Sequence, residues 1–110
     1  MINMQRINIP TQLLSDIKNY LNITWDDAAT DNKLNTMIAS GMSYLDGKGG
    51  GTLDYESDGT PRTLLFEYVR YMRSNALDVF ENNYTALILN MQAERLVADG
   101  KTVEGTAPTG

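Results

Sequence analysis

Apolar residues recur along this chain at spacings of three and four, and polar or glycine-rich breaks divide them into four helical stretches. Leu13, Leu14, Ile17, Tyr20 and Leu21 form the first stripe, about three turns long, with Thr11 as its expected cap and Asn22 near its end. The second stripe runs through Leu34, Met37, Ile38, Gly41, Met42 and Leu45, with Lys33, Thr36, Ser40 and Ser43 largely opposite. Thr24 with Asp27, a loose capping box, or Thr30 marks its start. Gly41 costs about 1 kcal/mol relative to alanine inside a helix, which close approach of a neighbouring helix offsets. Gly47-Lys48-Gly49-Gly50-Gly51 is expected to end this helix abruptly, and residues 52–59 show no period, so 47–59 reads as a flexible loop or a short hairpin.

The third stretch, Thr60 to Phe80, is the strongest signal. Thr60 is the expected cap and Pro61 suits the first helical position. Leu65, Tyr68, Val69, Met72, Ala76, Val79 and Phe80 make one apolar stripe, while Phe66, Tyr71 and Leu77 point away from it beside Arg70 and Arg73. A helix with two such faces asks for cover on both. The fourth helix is predicted over about Tyr84 to Val97, where Ala86, Leu87, Ile88, Leu89, Met91, Ala93, Leu96 and Val97 occupy much of the circumference. Ile2, Ile7 and Ile9 suit an extended N-terminal arm, and residues 98–110 read as a flexible tail rich in Gly, Thr and Pro. The expected fold is all-α: one domain over residues 1–97, a bundle of about four helices with a long glycine-rich loop between helices 2 and 3.

Composition narrows the function classes. The 110 residues suit one domain that buries roughly two-thirds of its unfolded surface without crosslinks. A net charge of −5, with nine scattered basic residues, argues against a protein whose main task is gripping nucleic acid. The chain contains no histidine and no cysteine, which removes the usual neutral-pH base, the common zinc ligands and the thiol nucleophile. No charged-then-apolar leader opens the sequence and no apolar run approaches the ~20 residues of a membrane span, so an intracellular, non-membrane product is expected.

Candidate chemistry is sparse. Asp26, Asp27 and Asp31 carry the oxygen ligands of a hard cation, but the alternation, central glycine and closing glutamate of a calcium loop are missing; acids there suit a helix N-terminus. The glycine run follows a helix and lacks Gly-Lys-Ser or Gly-Lys-Thr, so it reads as a linker with a solvated Lys48 instead of a phosphate cradle. Trp25 is expected as a core plug. Asn22-Ile23-Thr24 and Asn83-Tyr84-Thr85 match a glycosylation pattern and are discounted without a secretory leader. Arg70 and Arg73 beside Phe66, Tyr68 and Tyr71 allow three readings: a single-stranded nucleic-acid surface diluted by Glu67, Asp78 and Glu81, local ion pairs such as Glu67 with Arg70, or a protein interface. The interface candidates are Phe66, Arg70, Arg73 and Leu77 on the third helix and Leu87 and Met91 on the fourth. No catalytic residue, metal or cofactor is expected.

In order along the chain, Asn19-Tyr20-Leu21-Asn22-Ile23-Thr24-Trp25-Asp26-Asp27, Leu64-Leu65-Phe66-Glu67-Tyr68-Val69-Arg70-Tyr71 and Asn75-Ala76-Leu77-Asp78-Val79-Phe80-Glu81 form a familiar series. Over roughly residues 11–97 the sequence resembles the small head-tail connector, or head-completion adaptor, proteins of long-tailed bacteriophages and prophages. The resemblance implies a mostly helical subunit that assembles beneath the portal as a ring, usually dodecameric. Such a ring extends the DNA channel without binding DNA specifically and docks the next head-completion or tail component. It also implies that Tyr84 to Gly110 reach toward the portal, and it carries over no catalytic residue. A small helical regulatory protein that sequesters a partner is the alternative.

Overall fold

The computed structural model describes residues 9–99. Five α-helices and no strand occur among them: α1 (Thr11–Tyr20), α2 (Ala28–Gly49), α3 (Thr60–Arg73), α4 (Phe80–Asn83) and α5 (Thr85–Asp99), with a 3-10 turn at Leu77–Val79 leading into α4. The all-α class is the expected one. The third stretch, expected as one helix to Phe80, is instead two helices and a turn, which raises the count from four to five. Residues 98 and 99 belong to α5, and the rest of the predicted tail lies outside the described residues, as do Ile2 and Ile7 of the predicted arm.

The first three helices end in the same way, and this sets the path of the chain. At the end of α1, Asn22 adopts a left-handed conformation (φ 63°), and the Ile23 and Asn22 amides donate to Lys18 O and Asn19 O. Asn75 (φ 58°) repeats this after α3, where the Ala76 and Asn75 amides donate to Tyr71 O and Met72 O. Gly50 (φ 84°) does so after α2, with the Gly51 amide on Asp46 O. These closures satisfy carbonyls that the helix itself leaves open, and glycine and asparagine are the residues that tolerate the left-handed step. The glycine at 47 therefore does not stop α2; the helix runs on to Gly49 and turns at Gly50.

Helix starts are less symmetrical. Asp27 caps α2, its Oδ2 accepting from the Thr30 amide at 2.9 Å and from the Thr30 hydroxyl at 2.8 Å. Those bonds hold the Asp27 carboxyl below its ordinary pKa. Thr11 and Thr60, expected as caps, are instead the first helical residues, and neither helix start has a side-chain cap. The Thr60 hydroxyl reaches Glu94 on α5 at 3.4 Å.

α2 and α3 are the central pair of the core. Leu34, Ile38, Met42 and Leu45 of α2 meet Leu64, Leu65, Tyr68 and Val69 of α3, with Leu13 and Ile17 of α1, Phe80 of α4, and Ile88 and Met91 of α5 completing the cluster. Full burial of a side chain of this size contributes roughly 1.5–3 kcal/mol relative to exposure. Gly41 marks the close approach that its helix cost requires: a Cβ there would stand 2.7 Å from Leu65 Cδ1 and 2.9 Å from Tyr68 Cδ1. Ile9 packs against the same core from the start of the described chain.

The connection from Gly50 to Gly59 is held closely to the body. Tyr55 is buried, and its hydroxyl donates to Asp46 Oδ1 at 2.6 Å and to Met42 O at 3.2 Å. The Leu53 amide donates to the same Asp46 oxygen, and Arg62 Nη1 donates to Tyr55 O at 3.2 Å. The expected flexible loop or short hairpin is thus a strand-free connection pinned to α2 and α3. Two alternating apolar residues, Leu53 and Tyr55, anchor a stretch whose glycines and acids hide the pattern.

Candidate interaction surface

The outward faces of α3 and α5 are where the sequence places surplus apolar surface, and they fare differently. On α3, Phe66 is half-buried, with its ring edge-on to Tyr20 at 5.3 Å and the Arg62 guanidinium over its face at 4.6 Å. Tyr71 packs edge-on against Phe80 and Tyr84 at 5.7 and 5.6 Å, and Leu77 lies partly buried on the core from the 3-10 turn. Phe80 is fully buried and stands among four tyrosines, 44, 68, 71 and 84, with ring centroids 5.1–6.1 Å away. The break at Asn75 folds residues 76–84 back over α3. The second face of this helix is thus covered by the chain itself.

Glu67 fixes that cover. Its side chain is buried in α3, where Oε2 accepts from the Tyr20 hydroxyl of α1 and Oε1 accepts from the Tyr84 hydroxyl at 2.7 Å. Arg70 Nε and Nη2 donate to Oε1 at 3.0 and 2.5 Å, the ion pair the spacing predicts. Burial pushes the Glu67 carboxyl up, but the Arg70 and Tyr84 hydrogen bonds and the Arg70 charge outweigh it and leave the pKa below the ordinary value. Burial and the bond to Glu67 push the Tyr84 hydroxyl up to about 12. A charge buried in this way stays ionised because donors from three elements converge on it. Arg70 also lies over the Tyr71 ring at 5.1 Å, whereas Arg73 is exposed in the last turn of α3.

α5 has the opposite arrangement. Ile88 and Met91 face the core and Leu87 packs half-buried beside them. Met91 is 1% exposed, so its expected role as an interface residue is wrong: it belongs to the core. On the other side of the helix Leu89, Leu96 and Val97 are 58, 43 and 64% exposed, and Ala86 and Ala93 beside them are exposed as well. No described residue covers this stripe. Exposed leucines are ordinary singly, but here five apolar side chains lie exposed together along one face of the helix. The Gln92 side chain, on Lys48 O at 2.9 Å, and Arg95 Nη1, on Thr52 O at 3.0 Å, hold the helix so that this face points outward.

A second surface lies beside α1 and the connection to α2. Trp25 is 50% exposed, which corrects its expected role as a core plug; Ile23, the residue just past the α1 turn, takes the buried position instead. Trp25, Leu14 and Ile23 line an open groove of about 460 Å³, with Lys18 at its side. Lys18 pairs with Asp31 at 2.9 Å and Asp26 at 3.2 Å, and these bonds raise its pKa. Asp27 is taken up by its capping bonds, so the three carboxylates do not converge on a common point. Lys48, expected as solvated, pairs with Glu81 at 3.1 Å and lies 5.5 Å from the Tyr44 ring centre.

Of the six interface candidates, four (Phe66, Leu77, Leu87 and Met91) contribute to the body of the protein and two (Arg70 and Arg73) lie at its surface. Ala86, Leu89, Ala93, Leu96 and Val97, part of the apolar circumference expected for this helix, were not among those six yet form its exposed face. Ala86, Leu89, Ala93 and Leu96 follow a 3-4-3 spacing opposite the Ile88–Met91 stripe, with Val97 beside Leu96. No helix among the described residues is long and apolar enough to cross a membrane. No protein-family model, curated protein or solved structure matches the chain.

Proposed function

We propose that this protein is a phage head-tail connector, a subunit that acts by assembly and performs no chemistry. Copies join as a ring below the portal, extend the DNA channel and offer a docking surface to the next head-completion or tail component. The observation that carries the reading is the bare apolar face of α5, surface that a single copy leaves in water and that a virion partner can cover. The Trp25 groove, on other elements, supplies a different surface, and a head-to-tail ring requires two unlike patches on each subunit. The order of residues 11–97 resembles that family. The acidic balance suits a channel through which DNA slides, because negative walls repel phosphate instead of trapping it.

Native mass measurement or sedimentation with purified portal is the test. The expected outcome is a ring of subunits on the portal that is lost when Leu89 is replaced by Glu. Failure to associate with portal under any condition overturns the reading, whereas the state of the isolated chain does not bear on it, since a ring can close only on its template. The same α5 face also suits a regulatory protein that sequesters another factor. Gene neighbourhood separates the two, because a connector lies among portal, capsid and tail genes.

A further inference from the structure

The spacing of residues on the bare face of α5 specifies more than stickiness. Ala86, Leu89, Ala93 and Leu96 follow one another at steps of three, four and three, the seam pattern of paired helices, and they lie opposite the core-facing Ile88 and Met91. We infer that in the free protein this seam is covered by α5 of a second copy running antiparallel, giving a two-fold dimer.

The register argues for a second copy over an unlike helix. Reversing one copy about the midpoint of Leu89 and Ala93 sets Ala86 against Leu96 of the other copy and Leu89 against its Ala93. All four layers then hold one small and one large side chain, which is how facing positions fill space. A parallel pair would stack alanine on alanine and leucine on leucine, leaving gaps and crowding in alternate layers. The seam is its own complement only in the antiparallel sense, as a two-fold contact requires.

No seam position is ionisable, and the nearest polar neighbours, Asn90 and Gln92, are neutral. Glu94 and Arg95 are engaged with the body, through the Thr60 hydroxyl and Thr52 O. Glu94 shares a shallow surface pocket with Asn90, Ala93 and Val97, so the seam itself is neutral while its flank is acidic. The patch is smaller than the ~800 Å² per partner of a stable interface, so the dimer is weak and depends on concentration. Each chain carries a net charge of −5, so added salt screens the repulsion between the two bodies and tightens the pair. The pairing does not depend on the connector reading. Its consequence does: a free dimer hides the α5 face until the portal displaces one copy.

The absence of cysteine from the chain makes the test clean. In sedimentation equilibrium of the full chain, the expected result is reversible dimerisation that strengthens between 0.05 and 0.5 M salt and weakens at least tenfold in Leu89→Glu, with unchanged helicity by circular dichroism. Mixing Leu89→Cys with Ala93→Cys under mild oxidation is expected to give mainly the mixed crosslink. A monomer at every concentration and salt overturns the inference, as does a dimer indifferent to Leu89→Glu. Crosslinks only between like variants, 89 to 89 and 93 to 93, overturn it too, since they mark a parallel pair. Portal binding with a monomeric free chain would sink the dimer and leave the connector reading standing; a dimer that ignores portal would do the reverse.

Discussion

α3 and α5 both present apolar residues on two sides, yet only α5 leaves one side bare. The difference lies in their neighbours. α3 is central: α2 and α5 pack on it, the hydroxyl of Tyr20 reaches it from α1, and residues 76–84 fold back across its outer side. α5 is the last described element and meets α2, α3 and α4 only through the Ile88–Met91 side. Apolar periodicity states how much cover a helix demands, and topology decides whether the same chain supplies it. A surplus face on a central helix becomes ordinary core; the same face on a peripheral helix stays exposed in the single copy.

Substitutions that uncover α3 should cost far more than changes on the bare side of α5. The largest loss is expected for Phe80→Ala, which empties the space among Tyr44, Tyr68, Tyr71 and Tyr84; chemical denaturation should show a loss of about 3–5 kcal/mol. A cost below 1 kcal/mol would mean that the cover over α3 is loose. Glu67→Gln keeps the shape and removes the charge on which Tyr20, Tyr84 and Arg70 converge, for a loss of about 1–3 kcal/mol at pH 7.

The same residue gives a pH dependence with a definite sign. The folded-state pKa of Glu67 lies below its ordinary 4.5, so its contribution is complete above that value and fades as acid protonates the folded carboxylate. Stability curves of wild type and Glu67→Gln should therefore converge as pH falls through 4.5 and below. Parallel curves would show that the carboxylate is not the tether between α1, α3 and the α4–α5 junction.

Asn75→Val tests the turn that sends the chain back across α3. A β-branched residue resists the left-handed conformation at φ 58°, so thermal or denaturant melts should report a loss of about 1–2 kcal/mol. The smallest effect belongs to Leu89→Ser. With 58% of this side chain already in water, monomer stability should stay within about 0.5 kcal/mol of wild type. A larger loss would mean that the outer face of α5 is packed after all and would remove the contrast with α3.

The helical class, the core stripe of α2 and the Glu67–Arg70 pair were legible from spacing alone, because they depend on residues close in sequence. So was the turn at Asn22. Asn75 carries the same chemistry but is embedded in an unbroken apolar pattern, and periodicity hides a turn that apolar residues resume directly after. The glycine at 47 misleads in the other direction: it sits exposed in open space, where a helix packed along its other face tolerates a cost of about 1 kcal/mol. Met91 and Leu89 are equally apolar neighbours on α5; which of them meets the core depends on how the helix docks on α2 and α3. Trp25 fails for a similar reason, as Ile23 already fills the one inward position available after the α1 turn.

Gly41 gives the fold a genetic signature. Every missense change at this codon adds a Cβ where Leu65 and the Tyr68 ring already stand within 3 Å, and that ring is itself fenced by Tyr44 and Phe80. Deep mutational scanning read out by protein abundance should therefore find position 41 intolerant of side chains larger than alanine, while replacements of Ala86 or Leu89 other than proline and glycine persist near wild-type levels.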